Sequence, residues 1–216
     1  MKINIAEAIS NHIRGRFWLY IISSLSIGIG FVIGVYTVKY MNSYEKNDLM
    51  NYILSFTKTS GTSIINYNSV LLETFKNNIP LILIIWFLGL TMLGIPVILI
   101  IDFLKGFTLG FTITFFVNSL GVKGITMAFL GILPQNLIYI PCILFISVIA
   151  MEFSMGIVKY GFNDGLRNRI FSKISSYSLI FLFAGIFMGM GVIFETYCTP
   201  NIVKLTAMQF SGSIFL

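Results

Sequence analysis

The stretch Ile79–Val158 carries only four charged side chains, and this scarcity limits the fold more than any other feature of the sequence. The four are Asp102, Lys105, Lys123 and Glu152. A water-soluble domain needs a far more charged surface, whereas a lipid bilayer requires apolar side chains and backbone groups that are paired within helices. The chain is therefore predicted to be an all-α, polytopic transmembrane helical bundle.

The composition agrees with a membrane protein, because 56% of the 216 residues are hydrophobic and 10% are charged. The net charge of +6 is also compatible with nucleic-acid binding, but the basic side chains are dispersed near the ends of apolar runs. Orientation in the membrane explains them more simply. Cys142 and Cys198 lack the spacing of metal ligands or a redox pair, so we interpret both as small apolar side chains. No cofactor or metal is expected.

Five apolar segments are predicted to cross the hydrocarbon core, which is about 30 Å thick. Asp102 and Lys105, next to Gly106, are taken to mark the turn between the second and third spans. The transmembrane domain then covers residues 17–198. The other predicted segments are a cytoplasmic amphipathic amino terminus (1–16), an extracytoplasmic loop (39–78) and an extracytoplasmic carboxyl-terminal tail (199–216). The predicted spans cover about residues 17–38, 79–101, 106–120, 137–158 and 177–197.

The segment 124–136 is predicted to be a re-entrant half-helix. Gly124–Leu133 is apolar but too short to span a membrane, and Pro134, Gln135 and Asn136 then interrupt it, with Pro141 following. Broken backbone at membrane depth is tolerated only against protein or a water-filled cavity. The break is therefore either a structural turn or part of a substrate site.

The distribution of positive charge predicts the orientation, because basic residues in short loops favour the cytoplasmic side. Five spans with a cytoplasmic amino terminus place all four arginines inside, whereas a sixth crossing through 124–133 would move Arg167 and Arg169 outside. The carboxyl terminus is then extracytoplasmic. The loop 39–78 is too short for a catalytic domain, but it is long enough either for a docking surface or for an interfacial hairpin.

No pattern typical of an enzyme is present. His12 is the only histidine, and the sequence contains no HExxH, GxSxG, P-loop or CxxC motif. Ionisable side chains at membrane depth are the remaining candidates. We expect Glu152 to pair with Lys105 while Asp102 faces the interface, and the pair is either a structural clamp or part of a proton or ion relay.

Three GxxxG pairs predict close packing of helices, because lipid gives no hydrophobic drive for association and small residues let backbones approach. Each pair can pack within the chain or against a partner or a second copy. The pairs are Gly30 and Gly34, Gly106 and Gly110, and Gly185 and Gly189.

Several blocks in the sequence resemble the stage II sporulation protein M family. They are Trp86–Gly89, Gly94–Pro96, Lys105–Phe111, and Leu133–Asn136 leading to Pro141. Their order and the five-span plan resemble that family over nearly the whole chain. The wider family often has a His-Gly pair after the first proline and an acidic residue before the second. Gln135, Asn136 and Tyr139 occupy those places here, so the chain resembles the sporulation branch.

The resemblance implies a membrane scaffold in endospore-forming bacteria, located in the septal membrane of the mother cell. Members of the family recruit two peptidoglycan-degrading proteins, the stage II sporulation proteins D and P, for migration of the mother-cell membrane around the forespore. Such a scaffold has no catalytic site of its own. The alternative is a permease-like subunit for a lipid or small solute, motivated by the broken fourth helix and Glu152.

Overall fold

The computed structural model describes residues 14–51, 67–160 and 167–212, and every regular element within those ranges is helical. The predicted amphipathic segment before residue 14, including His12, lies outside the described residues. A short helical stretch occupies residues 43–51 of the predicted loop. The remaining elements are α1 (Phe17–Tyr40), α2 (Tyr67–Gly89), α3 (Gly94–Leu120), α4 (Val122–Met127), a π-helical stretch (Ala128–Ile132), α5 (Leu133–Tyr160) and α6 (Arg167–Gly212).

Five helices in the described part of the chain are long and apolar enough to cross a membrane, which confirms the predicted all-α bundle. The helix α6 does not end near Tyr197, because its helical backbone continues through Pro200 to Gly212. Most of the predicted tail therefore extends the last helix. The five candidate spans are Phe17–Tyr40, Tyr67–Gly89, Gly94–Leu120, Gly124–Lys159 and Ile174–Tyr197.

The turn between the second and third spans lies at residues 90–93, so the predicted boundaries at 101 and 106 are wrong. Gly89 ends α2 and Gly94 begins α3, and each is packed too tightly for a side chain. A Cβ atom on Gly94 would lie 2.3 Å from the carbonyl oxygen of Leu88. Ser154 on α5 fixes the turn by donating a hydrogen bond to the Thr91 carbonyl at 2.7 Å. Asp102 and Lys105 consequently lie inside α3 and not at its end.

The helices α1 and α3 run in the same direction in direct backbone contact. A Cβ atom on Gly106 would lie 1.9 Å from the carbonyl oxygen of Ile27, and one on Gly30 would lie 2.0 Å from that of Phe103. Gly34 and Gly110 have equally close neighbours one turn further along. These two GxxxG pairs therefore face each other, and their small residues let the two backbones approach closely.

The third GxxxG pair behaves differently. A Cβ atom on Gly185 or Gly189 would meet nothing within 4 Å in the described part of the chain. Large apolar side chains around them, such as Leu182 and Ile186, are exposed. These two glycines therefore line an outer face of α6.

The predicted break at Pro134, Gln135 and Asn136 is absent, because these residues lie in the first turn of α5. Proline has no N–H to donate to the carbonyl four residues earlier, and its ring clashes with that carbonyl in a regular α-helix. The wider π-helical turn accommodates Pro134, with the Leu133 N–H bonded to the carbonyl of Ala128 five residues back. Pro141 also lies within α5. The segment 124–136 is thus continuous with the fourth span and is not a separate half-helix.

An apolar core lies among α2, α5 and α6, and its side chains include Ile85, Ile146 and Met188. Two hydrogen bonds join α2 to α6 at the margin of this core: Tyr177 donates to the Trp86 carbonyl at 2.9 Å, and the Trp86 indole donates to Ser178 at 3.1 Å. We call the side of the bundle with Arg16 and the turn at 90–93 the Arg16 end. The opposite side, where Gly121 turns the chain at φ 57°, is the Gly121 end.

Candidate functional site: polar side chains inside the bundle

A salt bridge at the Arg16 end joins the start of α1 to α5. The guanidinium of Arg16 lies 2.5 Å from a carboxylate oxygen of Glu152, and the two side chains are 45% and 34% exposed. The hydrogen bond to Glu152, followed by its negative charge, raises the pKa of Arg16. The predicted pairing of Glu152 with Lys105 is wrong, because Lys105 lies deeper in the bundle than the end at which Glu152 meets Arg16.

A buried carboxylate joins three helices one layer further in. Asp102 on α3 is completely buried and accepts hydrogen bonds from the hydroxyl of Ser23 on α1, at 2.5 Å, and that of Ser147 on α5, at 2.7 Å. The expectation that Asp102 faces the interface is therefore wrong. Because each hydroxyl comes from a different helix, the carboxylate acts as a structural clamp.

A second polar group lies towards the Gly121 end. Tyr139 on α5 is buried and donates a hydrogen bond to the carboxylate of Glu195 on α6 at 2.8 Å. Gly191 makes room for it, since a Cβ atom there would lie 2.6 Å from the tyrosine ring. The charge of Glu195 also attracts Lys105 across the bundle. Tyr139 thus binds a carboxylate supplied by another helix.

The position of Lys105 within α3 places it near the middle of the membrane. Lys105 is eleven residues beyond Gly94, which corresponds to about 16 Å along the helix axis. Buried polar residues on neighbouring helices, namely Thr74, Asn78 and Thr196, lie in the half nearer the Gly121 end. Buried polar side chains therefore lie on both sides of Lys105, because Ser23, Asp102, Ser147 and Ser154 occupy the half nearer the Arg16 end.

A lateral groove opens beside Lys105. It is a cavity of about 350 Å³ between α2 and α3, two helices that diverge from their short connection and pack only sparsely on each other. The groove is lined by Asn77, Pro80, Leu81 and Ile84 from α2 and by Ile101, Leu104, Lys105 and Thr108 from α3.

Metal ligands and free thiols are two kinds of reactive group that the described residues allow us to examine. No group of three His, Cys, Asp or Glu side chains in the described ranges has a geometry suited to a metal ion. Cys142 is a buried free thiol whose sulfur lies 3.5 Å from the Ala184 carbonyl oxygen. The arrangement can hold helices in register and present the Lys105 ammonium to the side of the bundle.

Sequence reasoning identified Glu152 and Lys105 as candidates but missed their surroundings. Arg16 was interpreted only as a charge that orients the first span. Glu195 was overlooked, although the rule that singles out ionisable residues within apolar runs applies to it as well. Serine partners such as Ser23 carry no sequence signal, because a hydroxyl in a transmembrane helix commonly bonds to its own backbone.

Comparison with known proteins connects this arrangement to one family. A family model described as Stage II sporulation protein M matches residues 23–200 of the chain. No curated protein matches the chain. No solved structure matches it either. The matched region contains Asp102, Lys105, Tyr139 and Glu195, whereas Arg16 precedes it.

Proposed function

The chain belongs to the stage II sporulation protein M family, and from that membership we propose that it is an integral membrane scaffold of the sporulation engulfment machinery. Membership makes it a sporulation-related membrane protein. The finer proposal is that it recruits peptidoglycan-degrading partners, the stage II sporulation proteins D and P, to the septum. The family match over residues 23–200 is the observation that carries this proposal.

The architecture supports a scaffold more than an enzyme. Five candidate spans account for most of the described residues, and the interior contacts among their polar side chains join helices. The proposed scaffold has no catalytic centre, cofactor or metal of its own. Its contribution is to position other proteins in the membrane.

The proposed orientation places the Arg16 end in the cytoplasm. Arg14 and Arg16 precede α1, and Arg167, Arg169 and Lys173 lie in the first turns of α6, all at that end of the bundle. Positive residues near the ends of spans favour the cytoplasmic side. The Gly121 end, with the connection between α1 and α2, then faces the space in which peptidoglycan is degraded.

Affinity capture from sporulating cells tests recruitment. The intact chain is compared with a variant whose residues 43–66 are replaced by a neutral linker of equal length, which leaves α1 and α2 unchanged. We expect proteins D and P to co-purify with the intact chain. Their absence from the intact sample, at normal abundance of all three proteins, would remove the scaffold proposal. Their retention by the linker variant would locate the docking site in the spans.

A permease-like subunit remains the second candidate, and the groove beside Lys105, whose ammonium is attracted by Glu195 nearer the Gly121 end, is the observation that favours it. A transporter would show flux of a lipid analogue or small solute in vesicles, abolished by Glu195→Gln. The scaffold proposal expects no such flux and normal septal recruitment by the same variant.

A further inference from the structure

The groove between α2 and α3 contains polar groups that lack hydrogen-bond partners among the described residues. The Lys105 ammonium makes no hydrogen bond and no ion pair within 4 Å to any described side chain, although Glu195 attracts it from further away. Asn77, on the opposite wall, is exposed and makes no hydrogen bond to another described residue. Other polar side chains at this depth, including Asp102 and Tyr139, do have such partners.

Partner-free donors near the middle of a membrane destabilise the protein, because hydrocarbon provides no acceptor. Lys105 presents three donors to the groove, and Asn77 presents an amide donor and an acceptor. Thr108 donates its hydroxyl to the Leu104 carbonyl at 2.8 Å and keeps its acceptor lone pairs. The chemistry that complements a cation beside an amide donor is a carboxylate.

The depth of these groups distinguishes the possible occupants. Lys105 and Asn77 lie near the middle of α3 and α2, whereas a lipid phosphate lies at the membrane surface, about 15 Å away. An acyl chain fits the apolar walls, such as Ile84 and Leu104, but offers no acceptor. A transmembrane helix brings both an apolar surface and a side chain at the required depth.

We propose that the groove between α2 and α3 binds a transmembrane helix of a partner protein, whose central Asp or Glu side chain accepts hydrogen bonds from Lys105 and Asn77. This inference rests on the proposed function, since it gives the recruited partner a binding site within the membrane. The walls at Ile84 and Leu104 contact the apolar flanks of that helix. Pro80 also lines the groove and has no N–H to donate within α2.

Site-specific photocrosslinking in sporulating cells tests the groove with the full chain. A photoreactive phenylalanine analogue replaces Ile84 or Leu104 in the groove, or Ile186 on the outer face of α6 as a matched control. These three side chains are 51%, 52% and 58% exposed. We expect adducts from both groove positions to a transmembrane segment that carries a carboxylate, identified by mass spectrometry, and none of that product from Ile186.

Variants then test the role of the charge. Lys105→Leu and Asn77→Leu should each lower adduct yield about tenfold, as expected when a hydrogen bond to a charged group is lost, while Lys105→Arg should preserve most of it. If Lys105→Leu fails to accumulate, the adduct yield of Asn77→Leu is the deciding measurement. Asn77 makes no hydrogen bond to a described residue, so its replacement should not impair folding. Adducts only to lipid, to a second copy, or to a helix without a carboxylate would overturn the proposal.

Recruitment of proteins D and P is measured in the same cells, so that failure of the groove proposal can be distinguished from failure of the scaffold proposal. Normal capture of proteins D and P without groove adducts would overturn the groove site and leave the scaffold intact. Groove adducts to another carboxylate-bearing helix, without capture of D or P, would support the groove and remove the proposed partners.

Discussion

At the scale of single residues, the carboxylate of Asp102 is a point at which α1, α3 and α5 meet. Both of its hydrogen bonds come from serine hydroxyls on other helices. Membrane helices gain little from burying apolar surface against each other, so such bonds contribute to register and specificity.

Replacing Asp102 should weaken the bundle. Asp102→Ala removes the acceptor of two buried hydroxyls, and we expect a loss of about 1–3 kcal/mol in free energy of unfolding, measured by denaturation in detergent. Asp102→Asn keeps an acceptor and should cost less. Leu104→Ala, at a side chain 52% exposed on the same helix, is the control. Equal stability of Asp102→Ala and the control would contradict the clamp.

The salt bridge at the Arg16 end should be restored by exchanging its charges. Arg16→Glu and Glu152→Arg each juxtapose like charges, and the double variant should recover most of the loss, which is about 1 kcal/mol or less for an exposed pair. Abundance and thermal stability in membranes are the measurements. The control is the double variant in which the charges of Glu152 and Lys105 are exchanged. Recovered stability in this control, without recovery in the Arg16–Glu152 exchange, would refute the pairing of Arg16 with Glu152.

At the scale of helices, the backbone contact between α1 and α3 distinguishes essential glycines from incidental ones. Gly106 faces a carbonyl oxygen, whereas Gly185 has the same sequence spacing to its partner but no described neighbour. The GxxxG motif therefore predicts which helices are able to approach closely and not which ones do.

Alanine substitutions test this difference. Gly106→Ala forces α1 and α3 apart and should lower the free energy of unfolding by about 1–3 kcal/mol, the range for overpacking. Gly185→Ala should be neutral or stabilising by up to about 1 kcal/mol, since alanine favours helix. Thermal denaturation of the two variants side by side is the measurement. A larger loss of thermal stability in Gly185→Ala than in Gly106→Ala would indicate that the face with Gly185 is packed against another helix in the membrane.

The helical class and the number of spans follow from the sequence, because long apolar runs have few alternatives in a bilayer. The turn at residues 90–93 does not, since Leu90, Thr91, Met92 and Leu93 are as apolar as a span. Gly89 and Gly94, with Pro96 in the next turn, were the available signal for that turn. The positions of Asp102 and Lys105 were mispredicted because the groups that act on them are distant in sequence: Ser147 donates a hydrogen bond to Asp102, and the charge of Glu195 attracts Lys105.

At the scale of the whole molecule, the turn at residues 90–93 and the turn at Gly121 must lie on opposite membrane faces. The helix α3 connects them with 27 residues, about 40 Å, which is enough to cross the hydrocarbon core. The orientation of these faces decides which surface would meet the proposed peptidoglycan-degrading partners.

Cysteine labelling tests the arrangement after the native cysteines are replaced by alanine. A membrane-impermeant thiol reagent should modify Val122→Cys from outside intact cells, and Leu93→Cys only after the cytoplasmic face is opened. Leu104→Cys should resist from both sides. Ready labelling of Leu104→Cys would indicate that the turn lies at residues 102–105. Labelling of Leu93→Cys from outside would indicate that the bundle has the opposite orientation.

The recruiter role is tested most directly by the septal enrichment of fluorescent stage II sporulation proteins D and P in sporulating cells with and without this chain. We predict that enrichment is lost when the chain is deleted, returns with the intact chain, and is retained with Glu195→Gln, which removes only an interior charge. Unchanged enrichment of both partners in the deletion strain, at normal partner abundance, would contradict the scaffold.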